Sequence, residues 1–88
     1  MAVYIDKEMN KFGRMKMGHM IADTLDELHE MADNIGLRRQ WFQDRPKASF
    51  PHYDVSISRR TAAVTHGAVE CDRRTFVGHL KRLRGDGM

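Results

Sequence analysis

Three residues in the middle of the chain, His52-Tyr53-Asp54, are the first place to look for chemistry. They follow Pro51, which resists regular structure. On an extended segment, side chains two apart point to the same side, so His52 and Asp54 form an imidazole–carboxylate pair. Such a pair binds a metal or moves protons. His19, and Asp6 at a strand end, are the residues that would complete the cluster. No second metal-ligand spacing such as His-Glu-x-x-His accompanies it. The plainer expectation is a histidine–aspartate hydrogen bond that fixes the loop to the sheet. No metal and no cofactor are predicted.

A second pattern occurs twice. Ser58-Arg59-Arg60 and Asp72-Arg73-Arg74 each set a capping side chain and two arginines at the start of an expected helix. Cations there oppose the helix dipole, at about 0.3–1 kcal/mol each. An anion would reverse that cost, because free helix N–H groups and guanidinium forks both bind phosphate or carboxylate. Arg59, Arg60, Arg73 and Arg74 are therefore the candidate anion-binding residues. Negative charge from Asp54, Glu70 or Asp72 within the protein would serve the same end, and outward-pointing arginines would cost little.

These residues need elements to position them. Val3-Tyr4-Ile5, ending at Asp6, reads as a short buried strand, and residues 7–13 as a polar loop. Residues 14–21 alternate, with Met15, Met17 and Ile21 on one face and His19 in phase with them. Thr24-Leu25-Asp26-Glu27 is a capping box opening a helix over 24–35, whose stripe is Leu25, Leu28, Met31, Ala32 and Ile35. Gly36 suits the position after that helix, with Leu37 packing back. Residues 37–42 are expected to form a strand carrying Trp41 and Phe42, and 43–51 a loop. Ser58 is expected to cap a helix over 59–66. Ala68-Val69-Glu70-Cys71 reads as a strand, and Asp72 as the cap of a last helix with Phe76, Val77, Leu80 and Leu83 inward. The tail 85–88 should fray. His29, His66 and His79 are expected on helix surfaces. Strands alternating with helices predict one α/β domain over 1–88: a small, mostly parallel sheet of about four short strands with three helices packed on it, in two or three layers.

Composition limits the classes. The 88 residues are 41% hydrophobic, enough for one core, and no apolar run approaches the roughly 20 residues that span a bilayer. Cys71 is the only cysteine, which argues against a disulfide framework. No secretory leader is read at the start, so a cytoplasmic, membrane-free protein is expected. The net charge of +3 conceals a split. Residues 1–36 hold four Lys/Arg and seven Asp/Glu; residues 37–88 hold eleven and five, including nine of the ten arginines. That imbalance suits an anionic partner, or an attraction between the two halves.

Gly18-His19-Met20-Ile21-Ala22-Asp23, Asp26-Glu27-Leu28-His29, His52-Tyr53-Asp54 and Gly67-Ala68-Val69 together resemble a family of small domains of unknown function from tailed bacteriophages and some bacteria, marked by a His-Tyr-Asp signature. The likeness covers most of residues 2–71. It implies no reaction. It does imply an accessory protein of the host cytoplasm, and it singles out Asp6, His19, Asp23, Glu27, His29, His52, Tyr53, Asp54, Arg59 and Arg60 as the matching polar positions.

The function expected first is a binding module for a phosphate-bearing or acidic partner: nucleic acid, nucleotide or host protein. The alternative is a small hydrolase or nuclease built on His52 and Asp54, with Asp6 and His19 as helpers. A third is a dimerising structural component, which an exposed patch of Trp41, Phe42 and Phe50 would favour.

Overall fold

The computed structural model describes residues 2–6, 10–12, 15–44 and 50–85. Strands β1 (Val3–Asp6), β2 (Asn10–Phe12), β3 (Met15–Ala22), β4 (Tyr53–Ser56) and β5 (Val69–Cys71) form one sheet with helices α1 (Leu25–Asn34), α2 (Ile57–Thr65) and α3 (Arg73–Gly85). β3 is the spine. β4 pairs along one of its edges, and β1 and β2 follow one another along the other, so five strands fill four positions. β5 lies beyond β1.

The fold is α/β, but the sheet is mostly antiparallel where a mostly parallel one was expected. β1–β3, β2–β3 and β3–β4 are antiparallel, and only β1–β5 is parallel. Alternating strands and helices imply a parallel sheet only when each helix returns the chain to its starting end. Here no helix separates β1 from β3. After α1 the chain makes a 3-10 turn at Arg39–Trp41 and enters β4 against the direction of β3. That turn replaces the strand expected over 37–42. Leu37 is already committed to closing α1, and the Trp41 and Phe42 amides bond back to the Arg38 and Arg39 carbonyls. β2 lies within the segment expected to be loop; residues 7–9, 13, 45–49 and 86–88 of the expected loops and tail lie outside the described residues.

Both sheet faces are covered, giving three layers. Val3, Ile5, Met20, Ala22, Tyr53 and Val55 face one way and pack with Leu28, Met31 and Ala32 of α1, its C-cap Ile35, and Ala63 of α2. Tyr4, Ile21 and Cys71 face the other way and pack with Phe76 and Leu83 of α3. The period of two in the strands is therefore apolar on both faces. Cys71 is a buried thiol, its pKa pushed up first by that burial, and it acts as a small apolar side chain.

The helix ends follow local chemistry. The Glu27 amide donates to Thr24 Oγ1 at 3.2 Å, and the Thr24 hydroxyl donates to Glu27 Oε1 at 2.9 Å. At the other end of α1, Gly36 has φ +79, a conformation glycine adopts without a Cβ clash. The Gly36 amide bonds to the Asp33 carbonyl and the Leu37 amide to that of Ala32, a Schellman closure. Asp72 caps α3 through the Thr75 amide at 2.8 Å. α2 is capped by Ser56, not Ser58, and starts at Ile57. The last residue of β4, with φ −74 and ψ 171, is already in a capping conformation, so strand passes directly into helix.

Candidate functional site

β3 and β4 pair so that His19 stands directly opposite Asp54. His52 lies two residues before Asp54 and so shares its face. The three side chains converge: Asp54 Oδ1 is 3.3 Å from His52 Nε2 and 3.6 Å from His19 Nε2. The two imidazoles meet edge to face with centroids 5.0 Å apart. Phe50 packs beside both, at 4.6 Å from His52 and 6.0 Å from His19. Asp6 is buried at the end of β1, the next residue after the Ile5–Met20 pair, which sets it on the same face as His19. Tyr53, between His52 and Asp54, faces the opposite side of the sheet, fully buried in the α1/α2 core, where its hydroxyl meets His29 Nδ1 at 2.8 Å.

Two members of the cluster, His52 and Asp54, are held from behind. His52 Nδ1 lies 3.0 Å from the Phe50 carbonyl. A carbonyl only accepts, so Nδ1 carries a proton and the ring turns its Nε2 towards Asp54. Asp54 Oδ2 accepts from Gln43 Nε2 at 2.6 Å, which leaves Oδ1 for the imidazoles. Gln43 is in turn tied to His52 by two backbone hydrogen bonds, of 2.9 and 3.0 Å. Burial, then the neighbouring His52, pushes the His19 pKa below its ordinary value; Asp54 and Asp6 pull it up, and Arg73 at the start of α3 pushes it down. The net direction favours the neutral ring. Arg73 is thereby placed within electrostatic range of the cluster.

The four arginines do not gather in one place. Arg59 Nη1 donates to the Ile35 carbonyl at 2.5 Å, beside Gly36, and so ties α2 to the end of α1. Arg60 Nη2 pairs with Glu70 Oε2 at 2.6 Å, joining α2 to β5. Because the cap is Ser56, both stand in the third and fourth positions of α2 rather than its first two. Arg73 and Arg74 are exposed in the first turn of α3. The three aromatics of the expected patch also separate. Phe42 packs on His29 and Tyr53, Phe50 packs on the histidine cluster, and Trp41 is exposed under the Arg38 guanidinium at 5.7 Å.

Other histidines differ from expectation. His29 is half-buried against Phe42 and Tyr53, and His79 stacks on Tyr4 at 3.8 Å. Sequence reasoning missed Gln43 as the partner of Asp54, and it missed the staple in which Asp23 accepts from the Ala2 amide, the Tyr4 hydroxyl and Arg82. Nothing local marks either; both are contacts between distant segments. An open groove of about 740 Å³ adjoins the β4 edge, with Trp41, Phe42, Gln43, Asp54 and Ser56 among its walls. Among the described residues no helix is long and apolar enough to cross a membrane.

Residues 3–83 match the model of a protein family described as protein of unknown function (DUF4031). The chain belongs to this family. Searches of the curated proteins and of the solved structures return no match. Family membership carries no reaction with it, so function rests on the geometry of the DUF4031 domain itself.

Proposed function

We propose that this DUF4031 domain is a small hydrolase of phosphate-bearing substrates, a nucleic acid or nucleotide among them, with His19, His52 and Asp54 as its reactive centre. One observation carries the reading: two imidazole nitrogens and a carboxylate oxygen, from β3 and the start of β4, face a common point, with His52 and Asp54 each oriented by a hydrogen bond behind it. Atoms so arranged stabilise positive charge at their centre. That charge is either the proton taken from an attacking water or a cation that acidifies the water, and both activate the nucleophile. Asp6 adds negative charge behind His19. Arg73, with Arg74 beside it, supplies positive charge where a phosphate would approach, at the capped start of α3.

In this reading a phosphate-bearing substrate is bound near the start of α3. The α2 arginines already bond to the protein's own carbonyl and carboxylate. The test is turnover of an activated phosphodiester, and of single- and double-stranded oligonucleotides, with divalent ions supplied. Asp54→Asn is expected to lower the rate by on the order of 100-fold or more. Arg73→Ala should weaken substrate binding in a salt-dependent way. Absence of turnover on every substrate by the wild-type chain, or an unchanged rate in Asp54→Asn, overturns the proposal.

A further inference from the structure

We infer that the positive charge held by the cluster is a divalent transition-metal ion of the zinc class, bound by His19 Nε2, His52 Nε2 and Asp54 Oδ1. The inference rests on the hydrolytic reading only for what the ion is for, not for whether it binds. The donor set comes first. Two imidazole nitrogens and one carboxylate oxygen suit zinc and its first-row neighbours, whereas magnesium and calcium prefer oxygen alone. Three protein ligands also leave a position open for water, as in hydrolytic zinc sites.

Spacing comes second. Ligand bonds of about 2.0–2.2 Å at tetrahedral angles set donor atoms roughly 3.4 Å apart. The two separations from Asp54 Oδ1, 3.3 and 3.6 Å, already bracket that value, and all three donors lie within 4.8 Å of one another. The groups behind the ligands come third. The Phe50 carbonyl fixes the His52 tautomer with Nε2 free to ligate, and the Gln43 amide takes up the second oxygen of Asp54. Metal-binding histidines and carboxylates are oriented by hydrogen bonds of this kind. The frame is also preorganised: His19 and Asp54 are cross-strand neighbours, and Gln43 and His52 are bridged through their backbones. His52 is buried while His19 and Asp54 are 33% and 39% exposed, so an ion has a way in from solvent.

The site is tested on the tag-free full chain, stripped with chelator and titrated with cobalt(II), followed by visible absorption and then by competition with zinc. One equivalent of cobalt per chain is expected, with the intense bands of four- or five-coordinate cobalt, displaced by zinc and not by magnesium. His19→Gln and Asp54→Asn should each weaken binding by on the order of 100-fold, and Gln43→Ala by roughly 10–100-fold, as for groups behind a ligand. Circular dichroism establishes that each variant is folded. If one is not, proton NMR of the cobalt-loaded wild-type chain decides, where two histidines should give paramagnetically shifted ring resonances. No saturable cobalt spectrum, unchanged affinity in both folded ligand variants, or no shifted histidine resonances overturns the site. Metal bound without turnover of any phosphoester leaves the site standing and removes the hydrolytic reading. Turnover that is indifferent to chelation, in a chain that takes up no cobalt, does the reverse.

Discussion

The two faces of the sheet use the same strands for opposite purposes. On one face α1 and α2 cover β3 and β4, and what lies beneath is apolar: Met20, Val55 and Leu28 are sealed, and Tyr53 places its one hydroxyl on His29. On the other face α3 packs over β1 and β5, on Tyr4, Ile21 and Cys71. The stretch of β3 and β4 beside it carries His19, His52 and Asp54 instead. Polar clusters survive where water or a ligand can reach them and are costly where they cannot. The candidate site thus lies beside α3 on a sheet whose opposite face is closed.

That contrast can be broken or sharpened by substitution. The largest expected effect is on the closed face: Leu28→Ala should lower the unfolding free energy by about 2–5 kcal/mol, read from urea denaturation. A loss under about 1 kcal/mol would mean that this face is not the principal core. Next comes the staple beside α3. Burial alone would raise the Asp23 pKa, but the hydrogen bonds from Arg82, the Ala2 amide and the Tyr4 hydroxyl hold it below the usual carboxylate value. A depressed folded-state pKa gives stability that is complete above the unfolded value, near 4, and is lost as pH falls through the folded one. Asp23→Asn should therefore cost about 1–2 kcal/mol at neutral pH, discounted because Arg82 is half exposed. It should also flatten the acid limb of a stability–pH curve, and an identical limb in both proteins would exclude the staple.

Smaller effects sharpen the boundary of α2. Ser56→Ala should cost roughly 0.5–1 kcal/mol, its 3.4 Å bond to the Arg59 amide being long for a cap, and Ser58→Ala should cost nearly nothing. The reverse order in thermal unfolding would return the cap to Ser58. Smallest in stability is Asp54→Asn, which should shift the unfolding free energy by less than about 1 kcal/mol while lowering activity and metal affinity each by on the order of 100-fold. A large destabilisation would instead make the cluster a structural fastening between β3 and β4.

Much of the local structure was legible. The Thr24 cap, the Gly36 closure with Leu37, the Asp72 cap and the alternation of β3 all depend on contacts a few residues apart. The same holds for half of the site, since His52 and Asp54 share a side wherever the chain is extended. The rest was not legible because its causes are distant. Arg59 looked like an anion ligand until its partner proved to be a carbonyl 24 residues away, and Gln43 meets Asp54 only because residues 43 and 52 are bridged.

By itself the sequence determined most of the segments that become strands and helices, where most helices begin and end, and which side chains could carry chemistry. Propensity, capping and periodicity act over one or two turns of chain. The tertiary structure alone decided the direction of the sheet, the division of its two faces, and that His19 lies across from Asp54. Strand direction and register are chosen by whichever long-range pairing buries the most apolar surface while satisfying the backbone, and no short window of sequence contains that choice.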